Sequence, residues 1–198
     1  MEKVTEFEHT IAEFYGAKHG VAVDCCTHAI ELCLRLNPTR RLLKCPKHTY
    51  ISVPFTLMKL GQRWEFADHQ WEDQYRIFNT PIIDGAVQWC ENSYQPGTLL
   101  CLSFQHKKHL SLGRGGMILL DDQCDANHLR RMAYDGRLRA VPWATQNITE
   151  IGYHYYMTPE TAELGLARFA AAAEMPVRHW SWRDYPDLTQ MSVFADAV

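Results

Sequence analysis

The feature that most constrains this chain is an alternation. Short apolar runs are followed by longer stretches whose apolar residues fall at helical spacing. Residues 20–24, 42–45, 64–68, 81–84, 99–104 and 116–120 are too short and too continuously apolar to be amphipathic helices, and they read as buried strands. Residues 5–15 place Phe7, Ile11, Phe14 and Tyr15 near helical spacing and stop at Gly16. Residues 27–36, 49–60, 122–133 and 158–173 also read as helices, the last with Thr158 as cap and Pro159 in its first turn. Strands alternating with helices predict an α/β protein, with three α/β/α layers around a mostly parallel central sheet. Residues 69–80 are polar and aromatic without a period, and no element is predicted there. From residue 175 the chain turns rich in Trp, Arg, His and Asp, with Pro176 and Pro186. The expected organisation is a domain over residues 1–174 and an arm over 175–198 that packs on the domain or on a neighbouring subunit.

The bulk properties exclude several classes. With 198 residues the chain can bury a core without disulfides or a metal. Its 46% hydrophobic and 22% charged content is too apolar for a disordered chain. A net charge of −3 disfavours nucleic acid and anionic membranes as partners, local basic patches aside. The seven cysteines are odd in number and include no Cys-x-x-Cys pair, so they read as buried reduced thiols with no disulfide framework and no metal site. Residues 1–6 carry no apolar signal core and no stretch reaches the ~20 apolar residues of a membrane span. A cytoplasmic protein is expected.

In a sheet of this class the chemistry gathers at the carboxyl ends of strands. That rule selects residues 24–28, 45–50, 84–88 and 103–108. The last leads from Ser103 through Lys107 and Lys108 to the glycine-rich turn Gly113-Arg114-Gly115-Gly116. A lysine desolvated at a strand end becomes an amine nucleophile, although adjacent lysines in a loop are more often solvated charges. Asp84 ends a buried strand and needs a partner there. A protonated pyridine nitrogen is one such partner. Cys26 and Thr27 open a helix after a strand, where backbone amides attract a phosphate. Tyr50 offers a flat face for a ring to stack on.

Taken in order, Val4 to His19, Cys25-Cys26-Thr27-His28-Ala29-Ile30, Pro46-Lys47-His48-Thr49-Tyr50, Ile82-Ile83-Asp84-Gly85-Ala86, Ser103-Phe104 through Lys108 to Gly116, and Gly152 to Met157 form a set. The chain thereby resembles the DegT/DnrJ/StrS family of fold-type I pyridoxal-phosphate enzymes, best known as sugar aminotransferases, over about residues 4 to 170. The resemblance implies pyridoxal 5'-phosphate as cofactor, held as a Schiff base on Lys108, which also moves protons at the substrate α-carbon. It implies Asp84 on the pyridine nitrogen, Tyr50 stacked on the ring, and Ser103, Cys26 and Thr27 on the phosphate. It also implies a homodimer with shared active sites, to which His154 and Tyr155 reach from the neighbour.

The departures from the pattern bear on function. Val87 stands where the family has glutamine or histidine, and the adjacent Gln88 is taken as the cofactor contact. Cys25-Cys26 replaces Ser-Gly, Arg114 replaces Glu, and His154 and Tyr156 replace Asn and Arg. The connection from Asp68 to Pro81 is too short for the family's additional strand-helix unit, and little is left of the C-terminal small domain. An aminotransferase-type enzyme acting on an amine or amino acid, with a nucleotide-linked substrate among the options, is the expectation. A decarboxylase or α-carbon lyase acting on an amino acid carried by a nucleotide or DNA base is the first alternative. Residues 178–183 would stack on bases in that case. A degenerate scaffold without catalysis is the second, and the presence of both Lys108 and Asp84 argues against it.

Overall fold

The computed structural model describes residues 1–195. Helix α1 (Glu2–Tyr15) turns Val4, Phe7, Ile11 and Tyr15 inward and closes at Gly16, whose φ of 77° is the left-handed conformation a glycine adopts without strain. Strand β1 (His19–Val23) leads into α2 (Cys26–Leu36). Strand β2 (Leu43–Pro46), α3 (Ser52–Lys59) and β3 (Trp64–Ala67) form a parallel βαβ unit. Then come β4 (Tyr75–Arg76), β5 (Ile82–Asp84), β6 (Leu99–Ser103), β7 (Gly116–Leu120), α4 (Gln123–Ala133) and α5 (Pro159–Glu174). Asp122 caps α4 and Thr158 caps α5, each accepting a backbone N–H of the first turn.

The main sheet runs β1-β7-β6-β5-β4. The three-layer α/β arrangement is present, but the sheet is mixed where a mostly parallel one was expected. Only β5–β6 is parallel within it, while β1–β7, β6–β7 and β4–β5 are antiparallel. The physical reason is connection length. β6 and β7 are joined by a twelve-residue loop without a crossover helix, and β4 turns tightly into β5. Such connections suit antiparallel neighbours. An isolated bridge between Lys44 and Phe78 joins the β2–β3 pair to the rest.

Side-chain parity sorts the core into two halves. Val21, Val23, Leu99, Cys101, Ile118 and Leu120 pack with α2, α3 and α4. Ala22, Ile83, Leu100, Leu102, Met117 and Leu119 pack with α1 and α5. Of the cysteines, Cys26, Cys33, Cys45 and Cys101 are buried, Cys25 is half-buried, and Cys90 and Cys124 are exposed.

The register also fixes where chemistry can gather. Val23 and Ser103 both lie opposite Gly116, and Asp84 lies opposite Cys101. The carboxyl ends of β1, β5 and β6 therefore share one edge despite the mixed pairing. Gly116 allows α2 to start there: a Cβ on it would sit 2.5 Å from the Cys25 carbonyl carbon and 2.7 Å from the Cys26 nitrogen.

Beyond α5, residues 178–194 fold back along this edge. Trp182 N–H donates to Trp71 O, Asp73 N–H to Trp180 O, and Leu188 N–H to Lys47 O. Leu188 and Phe194 are fully buried against the domain.

Candidate active site

Parity and register place Asp84 and Ser103 on the α2 face at neighbouring strand ends, beside the N-terminus of α2. Among the described residues no side chain caps that terminus. Its first amides therefore lack intrahelical partners and carry the positive end of the helix dipole. The β6–β7 loop brings in Lys108, held by Lys108 N–H to Gln105 O at 2.8 Å and anchored by the buried Leu110 and Leu112. Gly113 and Gly115, with φ of 82° and 155°, make the turns that return the loop to β7.

These elements surround a cleft of about 450 Å³, within the range of small-molecule sites. Cys26, Thr27, Tyr50, Asp84, Ser103 and Lys108 all line it. Six residues spread from position 26 to position 108 are thus brought together. Asp84 is fully buried, and that burial raises its pKa above the usual carboxylate range, although Tyr75, the Ala86 amide and Lys108 pull the other way. Lys108 is pushed below the usual lysine value, chiefly by desolvation, with Asp84 opposing. A desolvated lysine and a buried carboxylate facing the same cleft suit nucleophilic amine chemistry.

The remaining sites divide. Tyr50 is 61% exposed at the rim of the cleft and stacks on no ring among the described residues. The Cys26 thiol turns away, 3.5 Å from Cys101 O, so a phosphate would meet the Cys26 amide. Gln88 is not among the residues that line the cleft. It lines an adjoining water-sized cavity with Trp89 and His109, and its buried Oε1 has no partner among the described residues. His154 projects outward and pairs with Asp135 at 3.1 Å. Tyr155 stacks on His28 with centroids 3.6 Å apart and also lies outside the cleft.

Arg114, the departure in the glycine turn, has a structural partner: its Nη2 lies 2.7 Å from Asp24. Asp24 also accepts from His28 at 2.6 Å. Burial disfavours the His28 imidazolium, but hydrogen bonds to Asp24 and Cys25 outweigh it and hold its pKa at about 9. Asp24, Cys25 and His28 bring metal-capable atoms within 4.8 Å of one another, yet Arg114 already supplies the cation there.

Four aromatic residues of the cleft were not among the predicted cofactor contacts. Tyr75 lies in the segment left unassigned, and its hydroxyl meets Asp84 at 2.6 Å. Trp71 comes from the same segment, and Trp180 and Tyr185 from the arm. The Lys108 amine lies 5.7 Å from the Trp180 ring centroid. A two-residue strand has no period to detect, and an arm's docking leaves no local signal.

A lysine amine, a facing carboxylate and an open helix N-terminus thus meet at one edge of an α/β sheet, around a single cleft. Residues 1–77 and 94–185 match the model of the DegT/DnrJ/EryC1/StrS aminotransferase family, and the chain belongs to that family. Residues 78–93, which hold Asp84 and Gln88, fall between the matched segments, so geometry alone places them. The chain is 25% identical to the spore coat polysaccharide biosynthesis protein SpsC of Bacillus subtilis, over 89% of this chain and 58% of that protein. It is 20% identical to a UDP-4-amino-4,6-dideoxy-N-acetyl-beta-L-altrosamine transaminase of Campylobacter jejuni, over 83% of this chain and 56% of that one. The crystal structure of AtS13 from Actinomadura melliaura superimposes with a TM-score of 0.78 at 20% identity, over 88% of this chain and 61% of that one. The chain thus spans less than two thirds of the relatives it matches. Enzymes of this family use pyridoxal 5'-phosphate, and the open α2 terminus, Asp84 and Lys108 fit its phosphate, ring nitrogen and aldehyde.

Proposed function

We propose that this protein is a pyridoxal-phosphate-dependent aminotransferase that moves an amine between an amino acid and a nucleotide-linked keto sugar. The observation that carries the reading is the convergence of Lys108, Asp84 and the α2 N-terminus on one desolvated cleft. When bound, the cofactor supplies an electron sink for the bond broken at the amine-bearing carbon. The chain's own residues do the rest. Lys108 attaches the cofactor through its amine and then carries the proton to and from the substrate carbon. Asp84 holds the ring nitrogen. The amides of Cys26 and Thr27 with the Thr27 and Ser103 hydroxyls hold the phosphate, and Tyr50 covers the ring from the rim. Trp71, Trp180 and Tyr185 form an aromatic wall that limits water and faces the substrate. The sugar substrate is suggested by the name of the Campylobacter jejuni relative.

A homodimer and a cytoplasmic location complete the proposal. Trp143, Ile148 and Ile151 are exposed on the loop that leads to His154, which supports pairing with a second copy. None of the described helices is long and apolar enough to cross a membrane. The test is to supply the cofactor-loaded protein with glutamate and a panel of nucleotide-linked keto sugars, with its mass read by light scattering. Formation of 2-oxoglutarate that depends on the sugar, from a dimer, is expected. Release of carbon dioxide without keto-acid turnover, or turnover by a monomer, contradicts the corresponding part.

A further inference from the structure

The short link between β3 and β5 sets a tyrosine against the carboxylate at the centre of the site. Strand β4 pairs antiparallel with β5 and puts Tyr75 opposite Asp84. Both residues are nearly inaccessible, at 5% and 6% exposure. The Tyr75 hydroxyl donates to Asp84 Oδ2 at 2.6 Å, and Thr49 Oγ1 lies 2.5 Å from the same hydroxyl. The Ala86 N–H donates to Asp84 Oδ1 at 2.9 Å. An ionised carboxylate has only acceptors to offer, so Tyr75 must direct its proton to Asp84 and Thr49 must donate to Tyr75. The bonds then run in one direction and polarise one another.

We infer that Tyr75 is a positioning residue that keeps the Asp84 carboxylate ionised and in one orientation for the pyridine nitrogen of the cofactor. The inference rests on the pyridoxal-phosphate reading above. Its first support is geometric: the two donors take a lone pair on each oxygen and fix the carboxylate's rotation, with a second lone pair on each left over. Its second is electrostatic. The other titratable groups that act on or around Asp84 are Lys108 from the β6–β7 loop, Cys26 on α2, Cys101 on β6 and Tyr185 from the arm. Burial raises the Cys26 and Cys101 thiols and the Tyr185 phenol, so these stay neutral. Lys108 must lose its charge to act as a nucleophile. Tyr75 and the Ala86 amide are then the donors that favour the charged carboxylate. Burial also keeps the Tyr75 phenol protonated far above its ordinary range, so it remains a donor.

The test uses Tyr75→Phe, which keeps the ring and removes the bond, and Thr49→Val, which leaves Tyr75 without its own donor. Carbon-13 labelled aspartate, with Asp84→Asn to assign the signal, reports the Asp84 titration in the protein without cofactor. Tyr75→Phe is expected to raise the Asp84 pKa by about one unit or more and to weaken pyridoxal-phosphate binding about tenfold. Thr49→Val is expected to shift the titration the same way by less, and it carries the test if Tyr75→Phe does not fold. A folded variant whose Asp84 titrates as in the wild type overturns the inference alone. A wild-type protein that takes up no pyridoxal phosphate overturns both the inference and the functional reading.

Discussion

Asp84→Asn is expected to lower turnover by about a hundredfold to a thousandfold, the range seen when one preorganised charge partner is removed. The same variant is expected to leave the cofactor-free protein at least as stable as the wild type at neutral pH. In the fold, Asp84 is a fully buried carboxylate whose pKa burial has raised. In the unfolded chain it loses its proton near 3.9. Between those two values the folded state binds more protons than the unfolded one. Stability therefore falls as pH rises through the interval, and the full cost of the buried charge is present above it. Asparagine never ionises, so it escapes that cost. Its amide is accommodated because the Thr49–Tyr75 bond can reverse: Asn Nδ2 donates to the Tyr75 oxygen, Tyr75 donates to Thr49, and Asn Oδ1 still accepts from Ala86. Thermal melts from pH 4 to 8 check this. The difference between variant and wild type should widen in favour of asparagine as pH rises and then level off. A pH-independent difference, or full turnover in the variant, contradicts the assignment. A residue whose replacement helps the fold and removes the activity is held for function.

Phe194→Ala is expected to destabilise the protein by about 3–5 kcal/mol, a large part of the ~5–15 kcal/mol that holds a domain folded. Phe194 is fully buried in an aromatic cluster, with ring centroids 5.4 Å from Phe55, 5.2 Å from Phe66 and 6.1 Å from Trp64. It is the distal anchor of the arm, whose nearer part is tied by the backbone bonds at Trp71, Asp73 and Lys47. Truncation leaves a cavity between β3 and the arm that the rigid ring neighbours fill poorly. A fall in melting temperature of about 10 °C follows for a chain of this size. Val193→Ala, at a position 52% exposed, is the control and should stay within about 0.5 kcal/mol of wild type. Denaturant unfolding of both variants measures the contrast. A Phe194→Ala cost under 1 kcal/mol would show that the arm is not anchored by this residue.

What the sequence disclosed follows from what local pattern can encode. The apolar runs located the strands and the helical spacing located α1, α2, α4 and α5, because burial of one face leaves a period in the chain. The ordered motifs led to Lys108, Asp84, Ser103, Cys26, Thr27 and Tyr50, which the fold gathers around one cleft. Strand direction was not legible: an apolar run reads the same parallel or antiparallel, and the short β6–β7 loop decided it. Tyr75 was not legible because β4 is two residues long and owes its place to the hairpin with β5. Gln88, selected for its adjacency to Val87, lines a smaller cavity that adjoins the cleft. The composition changes from residue 175, but the contacts of Trp180 and Tyr185 with the cleft depend on long-range docking that no local pattern records.

Every role proposed for the cleft depends on Lys108 carrying the cofactor. The most direct measurement is the absorption spectrum of the protein mixed with pyridoxal 5'-phosphate, recorded beside Lys108→Ala. A band at the edge of the visible that borohydride removes is expected in the wild type, and no such band in the variant. A wild type without the band, or a variant that keeps it, would contradict that role.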